Sequence, residues 1–379
     1  MSRAEAVIDL SAVAHNIALL RSAARGRDLM AVVKADAYGH GVAQVAPAAR
    51  NAGADWLGVA LPSEAVALRE AGDSGRLMAW LFTPADDIAP AVAADVDLSA
   101  SAPWSVAAVA SAARQVGRRA RLHLKIDTGL GRGGAPAAGW ADLLDAAVVA
   151  ESAGHVEIVG IWSHLACADE PDLVVTRQQC EAFDDALAAV AAHGIEPEVR
   201  HIASSGATLL APESHYDMVR CGIAIYGLSP GVAMGSSADL GLRPAMTVLA
   251  EVANVKRVPA GQGVSYGLRY RTPAPSTLAL IPVGYADGVP RAGSGALPVA
   301  VNGHRFTVAG TIAMDQFVLD VGDAEIAPAD RVVLFGAGLD GTPTADDWAA
   351  ACGTINYEIV TRLGRRIPRT HLGGTDATP

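Results

Sequence analysis

Before residue 230 the chain alternates short apolar runs with Ala-rich helical stretches, and this alternation restricts the fold more than any other feature. The runs are AVVKADA, DWLGVAL, LMAWLF, VDLSAS, RLHLKID, VEIVGIWSHL, EVRHIASS and MVRCGIAIYG. Each has the length and side-chain shape of a buried strand. Between them, Ser63 to Ala71 and Gln178 to Ala192 have helical character. Strand and helix in alternation predict a parallel sheet, and eight strands predict an α/β fold of the (β/α)8, TIM-like barrel type. A doubly wound open sheet is the rival, but no marker of a strand-order reversal is visible. From about Gly241 the texture changes. MTVLAEVANVKRV, STLALIPVGYADG, PVAVNGHRFTVAGTI, FVLDVG and DRVVLFG read as strands separated by Pro, Gly and Asp, which predicts a second, mainly antiparallel β domain. The expected division is 1–240 and 241–379, with residues 1–10 forming a strand that joins the second domain. Ser11 is the expected cap of a helix whose Val13, Ile17 and Leu20 share one face. Asp346 to Ala351 and Tyr357 to Leu363 are expected helices, and the tail THLGGTDATP is expected to be loose.

A chain of 379 residues exceeds what one core usually serves, which agrees with two domains. The net charge of −11 argues against a nucleic-acid or anionic-membrane surface, so any anionic ligand must be held by local arginines. No apolar run approaches membrane-spanning length, and the start of the chain lacks a signal-peptide profile. Cys167, Cys180, Cys221 and Cys352 are scattered without metal-ligand spacing. They read as free thiols in a reducing compartment, and the cytoplasm is the expected location.

Polar residues become informative where they fall at the C-terminal ends of barrel strands, because those ends form the ligand-binding face. Lys34 ends the first run, Lys125 and Asp127 lie in the fifth, and Arg132 follows it. His164 ends the sixth, Ser204 and Ser205 the seventh, and Arg220 lies within the eighth. Singly, His164 reads as a core histidine, Ser205 as a helix cap and Arg220 as a structural ion-pair partner. Their joint placement on one face points instead to an anionic cofactor. GLGRGG, Gly129 to Gly134, formally matches a dinucleotide fingerprint, but it follows the fifth strand and not the first βα turn. Its Arg132 matters more than its glycines.

The strings VVKADAYGHG, HLKIDTGLGR, WSHLACAD, VRCGIAIYGLSP, VSYG, GYADGVPR, AMDQ and INYEIVTRLGRRIPR, in this order, resemble the alanine racemase family nearly end to end. The resemblance implies a pyridoxal 5'-phosphate (PLP) barrel joined to a β domain, a homodimer with shared active sites, and no metal. It makes Lys34 the lysine in Schiff-base linkage with PLP. Tyr38, Ser205, Gly222, Ile223 and Tyr357 become the phosphate-binding set. Arg220 faces the pyridine nitrogen, where a permanently charged donor keeps the ring a weak electron sink. Racemisation needs a base on each face of the α-carbon, so Lys34 is paired with Tyr266 from the second subunit. His164 contacts that tyrosine in a relay toward Arg220. Arg132 holds the substrate carboxylate, and Met314 and Asp315 contact substrate from the partner subunit. Lys125 aligns with a lysine that is often carbamylated, a change that would orient Arg132. An unmodified Lys125 paired with Asp127 or another acid is the alternative.

Four positions depart from the family pattern. Thr311 and Ala313 stand where an arginine and a cysteine are common, so the gate formed by Asp172, Tyr285 and Arg291 is expected to be differently charged. Ser204 and Gly133 replace an asparagine and a leucine at the cofactor rim. The resemblance implies interconversion of L- and D-alanine, supplying D-alanine for peptidoglycan. The rivals are a broader racemase acting on serine, a barrel-type PLP decarboxylase, against which Arg220 speaks, and a PLP reservoir without turnover.

Overall fold

The computed structural model describes residues 3–373. It opens with strand β1 (Ala4–Asp9) and helix α1 (Leu10–Ala23). Val13, Ile17 and Leu20 of α1 are fully buried, as their spacing predicts, and each contributes about 1.5–3 kcal/mol of burial. The cap is two residues earlier than expected. The Asp9 carboxylate accepts the N–H groups of Ser11 (2.8 Å) and Ala12 (3.2 Å), so Asp9 takes the capping role and Ser11 lies inside the helix.

By contact density the chain divides into two units. One comprises Val13–Ala37 and Val42–Leu242, and the other comprises the stretch ending at Ala12, Tyr38–Gly41, and the stretch from Arg243 onward. In the first, eight parallel strands run β2 (Asp28–Val32), β3 (Trp56–Val59), β4 (Arg76–Ala79), β5 (Asp97–Ala100), β6 (Ala120–Lys125), β7 (Val156–Trp162), β8 (Val199–His201) and β9 (Met218–Cys221). They follow one another in order around the sheet, and β9 returns to pair with β2. The ring is closed between β8 and β9 by backbone bonds from Asp217 N–H to Arg200 C=O and from Arg220 N–H to Ala203 C=O, both 3.0 Å. This is the (β/α)8 barrel that the alternation predicts. Its strands are buried on both faces, which explains why they read as continuous apolar runs.

Helix follows strand around the ring. The helices are α3 (Val42–Asn51), α4 (Pro62–Glu70), α5 (Ala89–Ala93), α6 (Pro103–Val116), α7 (Trp140–Ser152), α8 (Val174–Ala192) and α9 (Ser205–Leu210). The segment before α3 is unusual. The short element α2 (Lys34–Gly39) has φ of +53° to +54° at Ala35, Asp36, Ala37 and Tyr38, a left-handed turn with glycine only at its end. Such geometry costs roughly 1–2 kcal/mol per residue. It is held by the Glu64 carboxylate, which accepts Ala35 N–H at 2.6 Å, and by Asp36, which accepts Val42 N–H at 2.7 Å. Strand β2 therefore stops at Val32, and Lys34 opens this turn instead of ending the strand.

The second unit is built of antiparallel strands with one exception. A six-stranded sheet has the order β16 (His304–Thr307), β15 (Pro298–Val301), β18 (Arg331–Phe335), β10 (Met246–Glu251), β1, β19 (Arg369–Leu372). A three-stranded sheet joins β11 (Asn254–Val258), β14 (Ser276–Ile281) and β17 (Phe317–Gly322), and a ribbon pairs β12 (Gly263–Val264) with β13 (Tyr270–Arg271). Helices α10 (Ala345–Cys352) and α11 (Asn356–Thr361) match the two expected near the end. The tail departs from expectation. Thr370, His371 and Leu372 pair in parallel with Val7, Ile8 and Asp9, while residues 374–379 of the expected loose segment lie outside the described residues. No helix among the described residues is long and apolar enough to cross a membrane.

Candidate active site

The barrel gathers four cations at the C-terminal ends of its strands. Lys34 follows β2, Lys125 ends β6, Arg132 lies in the loop after it, and Arg220 lies in β9. Burial lowers the pKa of Lys34, Arg132 lowers it further, and Glu64 partly offsets the shift. Lys125 is pulled down to about 8 by burial and then by Arg220 and Arg132, with a smaller opposing pull from Asp127. Its ammonium sits 4.2 Å from the centroid of the Trp162 ring, and no ion pair to Asp127 forms among the described residues. Burial acts against the Asp127 charge, but the N–H groups of Gly129 and Gly131 outweigh it and hold the carboxyl low. Asp127 thus shapes the loop carrying Arg132, and the expected alternative of a Lys125–Asp127 pair is not formed.

Arg220 is almost fully enclosed. Its Nη2 donates to the carbonyls of Ser163 (2.8 Å) and Ile202 (3.1 Å) and to His164 Nδ1 (3.1 Å), and Nη1 donates to His201 Nδ1 (3.0 Å). Burial pulls it down to about 9, still above neutrality, so the guanidinium keeps its charge. Its Nε–H has no partner among the described residues.

The donor-only character of arginine fixes a chain of tautomers. Because Arg220 donates, His201 accepts at Nδ1 and carries its proton on Nε2, which donates to His123 Nδ1 at 3.0 Å. His123 then carries its proton on Nε2 and donates to Asp97 at 3.1 Å. The acceptor-only carboxylate closes the chain at its far end. His201 stacks on Trp162 at 7° with centroids 5.6 Å apart, and a Cβ at Gly160 would strike the His123 ring, so that position must be glycine. Burial and the Arg220 charge hold both His201 and His164 well below the usual histidine range. Neutral His164, accepting at Nδ1, keeps its proton on Nε2.

The predicted phosphate set falls in both units. In the barrel unit the Ser205 hydroxyl accepts Gly222 N–H at 2.9 Å, and Ile223 opens the buried turn that follows. In the β unit the Tyr38 and Tyr357 rings lie 6.3 Å apart, and burial raises the Tyr38 phenol. Also in the β unit, Tyr266 is 73% exposed, on a turn in which Ser265 has φ +58° and ψ −172°. That region is populated almost only by glycine and costs about 1–3 kcal/mol. Met314 accepts Ala286 N–H at its carbonyl (2.9 Å), which ties it to the Tyr285 turn. Asp315 accepts from Arg366 at 2.8 Å, and Arg366 also pairs with buried Asp287 at 3.1 Å. Arg291 is exposed after Pro290. In the barrel unit, Asp172 is exposed and accepts Val174 N–H (3.1 Å) at the start of α8.

Sequence reasoning missed several participants: Asp97, His123 and His201, the Trp162 shelf, Glu64 and Arg366. The first three carried a signal, since a carboxylate and two histidines within apolar barrel strands need buried partners. Arg366 lay inside a basic run that disguised it.

Two family models cover the chain: alanine racemase, N-terminal domain over residues 8–230, and alanine racemase, C-terminal domain over residues 245–371. An alanine racemase of Frankia casuarinae is 53% identical over 370 residues, covering 98% of this chain and 96% of that one. One of Streptomyces coelicolor is 53% identical over 375 residues, with the same coverage of 98% and 96%. The crystal structure of alanine racemase from D-cycloserine-producing Streptomyces lavendulae superposes with a TM-score of 0.97 at 53% identity, covering 99% of this chain and 98% of that one. With both domain models in register and relatives matched along nearly their whole length, this chain belongs to the alanine racemase family.

Proposed function

We propose that this protein interconverts L- and D-alanine with PLP by a two-base mechanism, using Lys34 and, from a second copy of the chain, Tyr266. Family membership makes it an isomerase of the amino-acid racemase class. The observation that carries the reading is the barrel mouth itself, where Lys34, Lys125, Arg132 and Arg220 gather around a lysine whose burial favours its neutral form. Clustered cations with so little counter-charge suit an anionic cofactor and a substrate carboxylate.

The donor set fits PLP. Lys34, Tyr38, His164, Ser205, Arg220, Gly222, Ile223 and Tyr357 are the residues that would hold it, and the uncommitted Nε–H of Arg220 suits a ring nitrogen that stays unprotonated. When bound, PLP supplies the electron sink that makes the α-hydrogen of an amino acid removable. Arg132 binds the substrate carboxylate and fixes which way the α-carbon faces. The Lys34 amine takes or returns a proton on one face, and the Tyr266 phenol serves the other. His164, with its proton on Nε2, donates toward that phenol, while Arg220 bars His164 from charging. Met314 and Asp315 close the substrate side, and Asp172, Tyr285 and Arg291 form the gate.

Large apolar side chains exposed on the β unit, Tyr266, Leu268, Met314 and Tyr285, support a homodimer in which each subunit completes the other's site. The enzyme acts in the cytoplasm and supplies D-alanine for peptidoglycan. Chiral chromatography of L-alanine and L-serine, incubated separately with PLP-loaded protein, tests the reading. D-alanine approaching an equal mixture, slow serine turnover and no product with Lys34→Ala are expected. No D-product from either substrate would sink the proposal in favour of a reservoir, and fast serine turnover would replace alanine as the preferred substrate.

A further inference from the structure

Position 311, which departs from the family pattern, holds an arrangement of its own. The Thr311 hydroxyl donates to the Tyr266 carbonyl at 2.9 Å, and the Ser265 hydroxyl donates to the Thr311 carbonyl. The two bonds are reciprocal, side chain to main chain in each direction, and they bracket the peptide that joins Ser265 to Tyr266. Thr311 is only 7% exposed, whereas the Tyr266 side chain stands largely in solvent. The phenol is therefore aimed by its backbone.

That backbone needs holding, because Ser265 sits in a conformation that non-glycine residues avoid. The support is rigid. Ala309 N–H bonds Val318 C=O at 2.8 Å, Ile312 N–H bonds the Ser294 hydroxyl at 3.1 Å, and Ala313 N–H bonds Gln316 C=O at 2.9 Å. Gly310, at φ +80°, brings the two backbones so close that a Cβ there would strike the Val264 carbonyl. On the other side, β12 and β13 pair around the tyrosine turn, and Val264 packs with Leu278 and Ala309. Thr311 thus links a fixed strand end to a strained turn.

We propose that Thr311 is a positioning residue for proton transfer: its hydroxyl, bonded to the Tyr266 carbonyl while the Ser265 hydroxyl bonds the Thr311 carbonyl, sets the backbone orientation from which Tyr266 presents its phenol. The inference rests on the reading of Tyr266 as one of the two bases. It assigns the function to the hydroxyl, not to the bulk of the side chain. Thr311→Val keeps the shape and removes the donor, while Thr311→Ser keeps the donor and removes a methyl group.

The test compares holoenzymes of wild type, Thr311→Val, Thr311→Ser and Tyr266→Phe. Steady-state racemisation is measured first, followed by exchange of the substrate α-proton with solvent deuterium, starting separately from L- and D-alanine. Thr311→Val is expected to lower kcat by about 10- to 100-fold with KM changed less than about threefold, because misplacing a reacting group by about an ångström has effects of that size. Exchange should slow for the one enantiomer whose α-proton faces Tyr266 and persist for the other, and Thr311→Ser should return kcat to within about threefold of wild type. A general loss of structure would slow both exchanges together. Wild-type kcat in Thr311→Val, equal loss of both exchanges, or failure of Thr311→Ser to restore kcat overturns the inference. If Tyr266→Phe racemises normally, the two-base reading itself is wrong. If Tyr266→Phe is inactive while Thr311→Val matches wild type, only the positioning role is lost.

Discussion

Removing the carboxylate at the end of the buried histidine chain tests the tautomer assignment directly. Asp97 is 1% exposed and accepts from His123 Nε2–H at 3.1 Å and from Arg121 Nε–H at 3.0 Å. Asp97→Leu leaves both donors without that acceptor. Arg121 retains Glu198 at 2.7 Å, but His123 has nothing to replace the carboxylate. Removing one partner of a buried charged pair costs about 3–5 kcal/mol. At about 2–4 °C per kcal/mol for a domain of this size, the barrel transition should fall by about 6–20 °C. His123→Leu alone should also be costly, because it orphans the Nε2–H of His201. The double variant Asp97→Leu/His123→Leu removes the His123 donor and its acceptor together and leaves the His201 Nε2–H and the Arg121 Nε–H unmet. Its destabilisation should therefore fall short of the sum of the singles by about 1–3 kcal/mol. Urea titrations of the three variants and wild type, followed by tryptophan fluorescence and far-UV ellipticity, measure the cycle. Additivity within about 0.5 kcal/mol would show that no bond links His123 to Asp97, and the assignment of protons from Arg220 outward would fall with it.

Two further outcomes follow from the same cations and histidines. His164 and His201 are held neutral, below the unfolded value of about 6.5, so the unfolded chain binds more protons as pH falls through that value. Stability contributed by the pair is complete above pH 6.5 and lost below it, by about 2 kcal/mol between pH 6.5 and 5.5; a urea midpoint that stays flat across that interval would contradict their burial as neutral rings. Lys125, at about 8, is substantially neutral in mildly alkaline buffer and open to carbamylation, which would give Arg132 an anionic neighbour. Purging carbon dioxide at pH 8 should lower racemisation and bicarbonate should restore it, with Lys125→Met insensitive to both; equal bicarbonate responses in the two proteins would remove the modification from the mechanism.

The barrel was legible because buried parallel strands leave runs such as RLHLKID and VEIVGIWSHL, whose pattern depends little on distant partners. Where partners decide, the sequence was silent. Asp9 and Ser11 are both good helix caps, and only the carboxylate's reach to two N–H groups separates them. Arg369 to Leu372 has no strand-like pattern, and it becomes a strand because β1 offers an open edge. The left-handed turn at Ala35 to Tyr38 meets glycine only at its end, Gly39, and is held by Glu64 from outside and by Asp36 from within. Motif matching points to Lys34, Arg220 and Tyr266, but it does not show Asp97, His123 and His201 as one chain, because three separate strands contribute them. Thr311 read as a missing arginine, while its hydrogen bond to the Tyr266 carbonyl was visible only in three dimensions.

The placement of β1 between β10 and β19 has a consequence for synthesis. Val7 precedes every barrel strand in the chain, yet its neighbours across the sheet are Thr247 and then Thr370. The long stretch from Val42 to Leu242 can collapse on contacts of its own while that first strand still waits. Completing the β unit is thus a late event of high contact order, timed by release of the last strand. Until β10 and β19 arrive, the apolar face of β1, with Ala4, Ala6 and Ile8, stays uncovered, and unburied apolar surface of that kind favours association over folding.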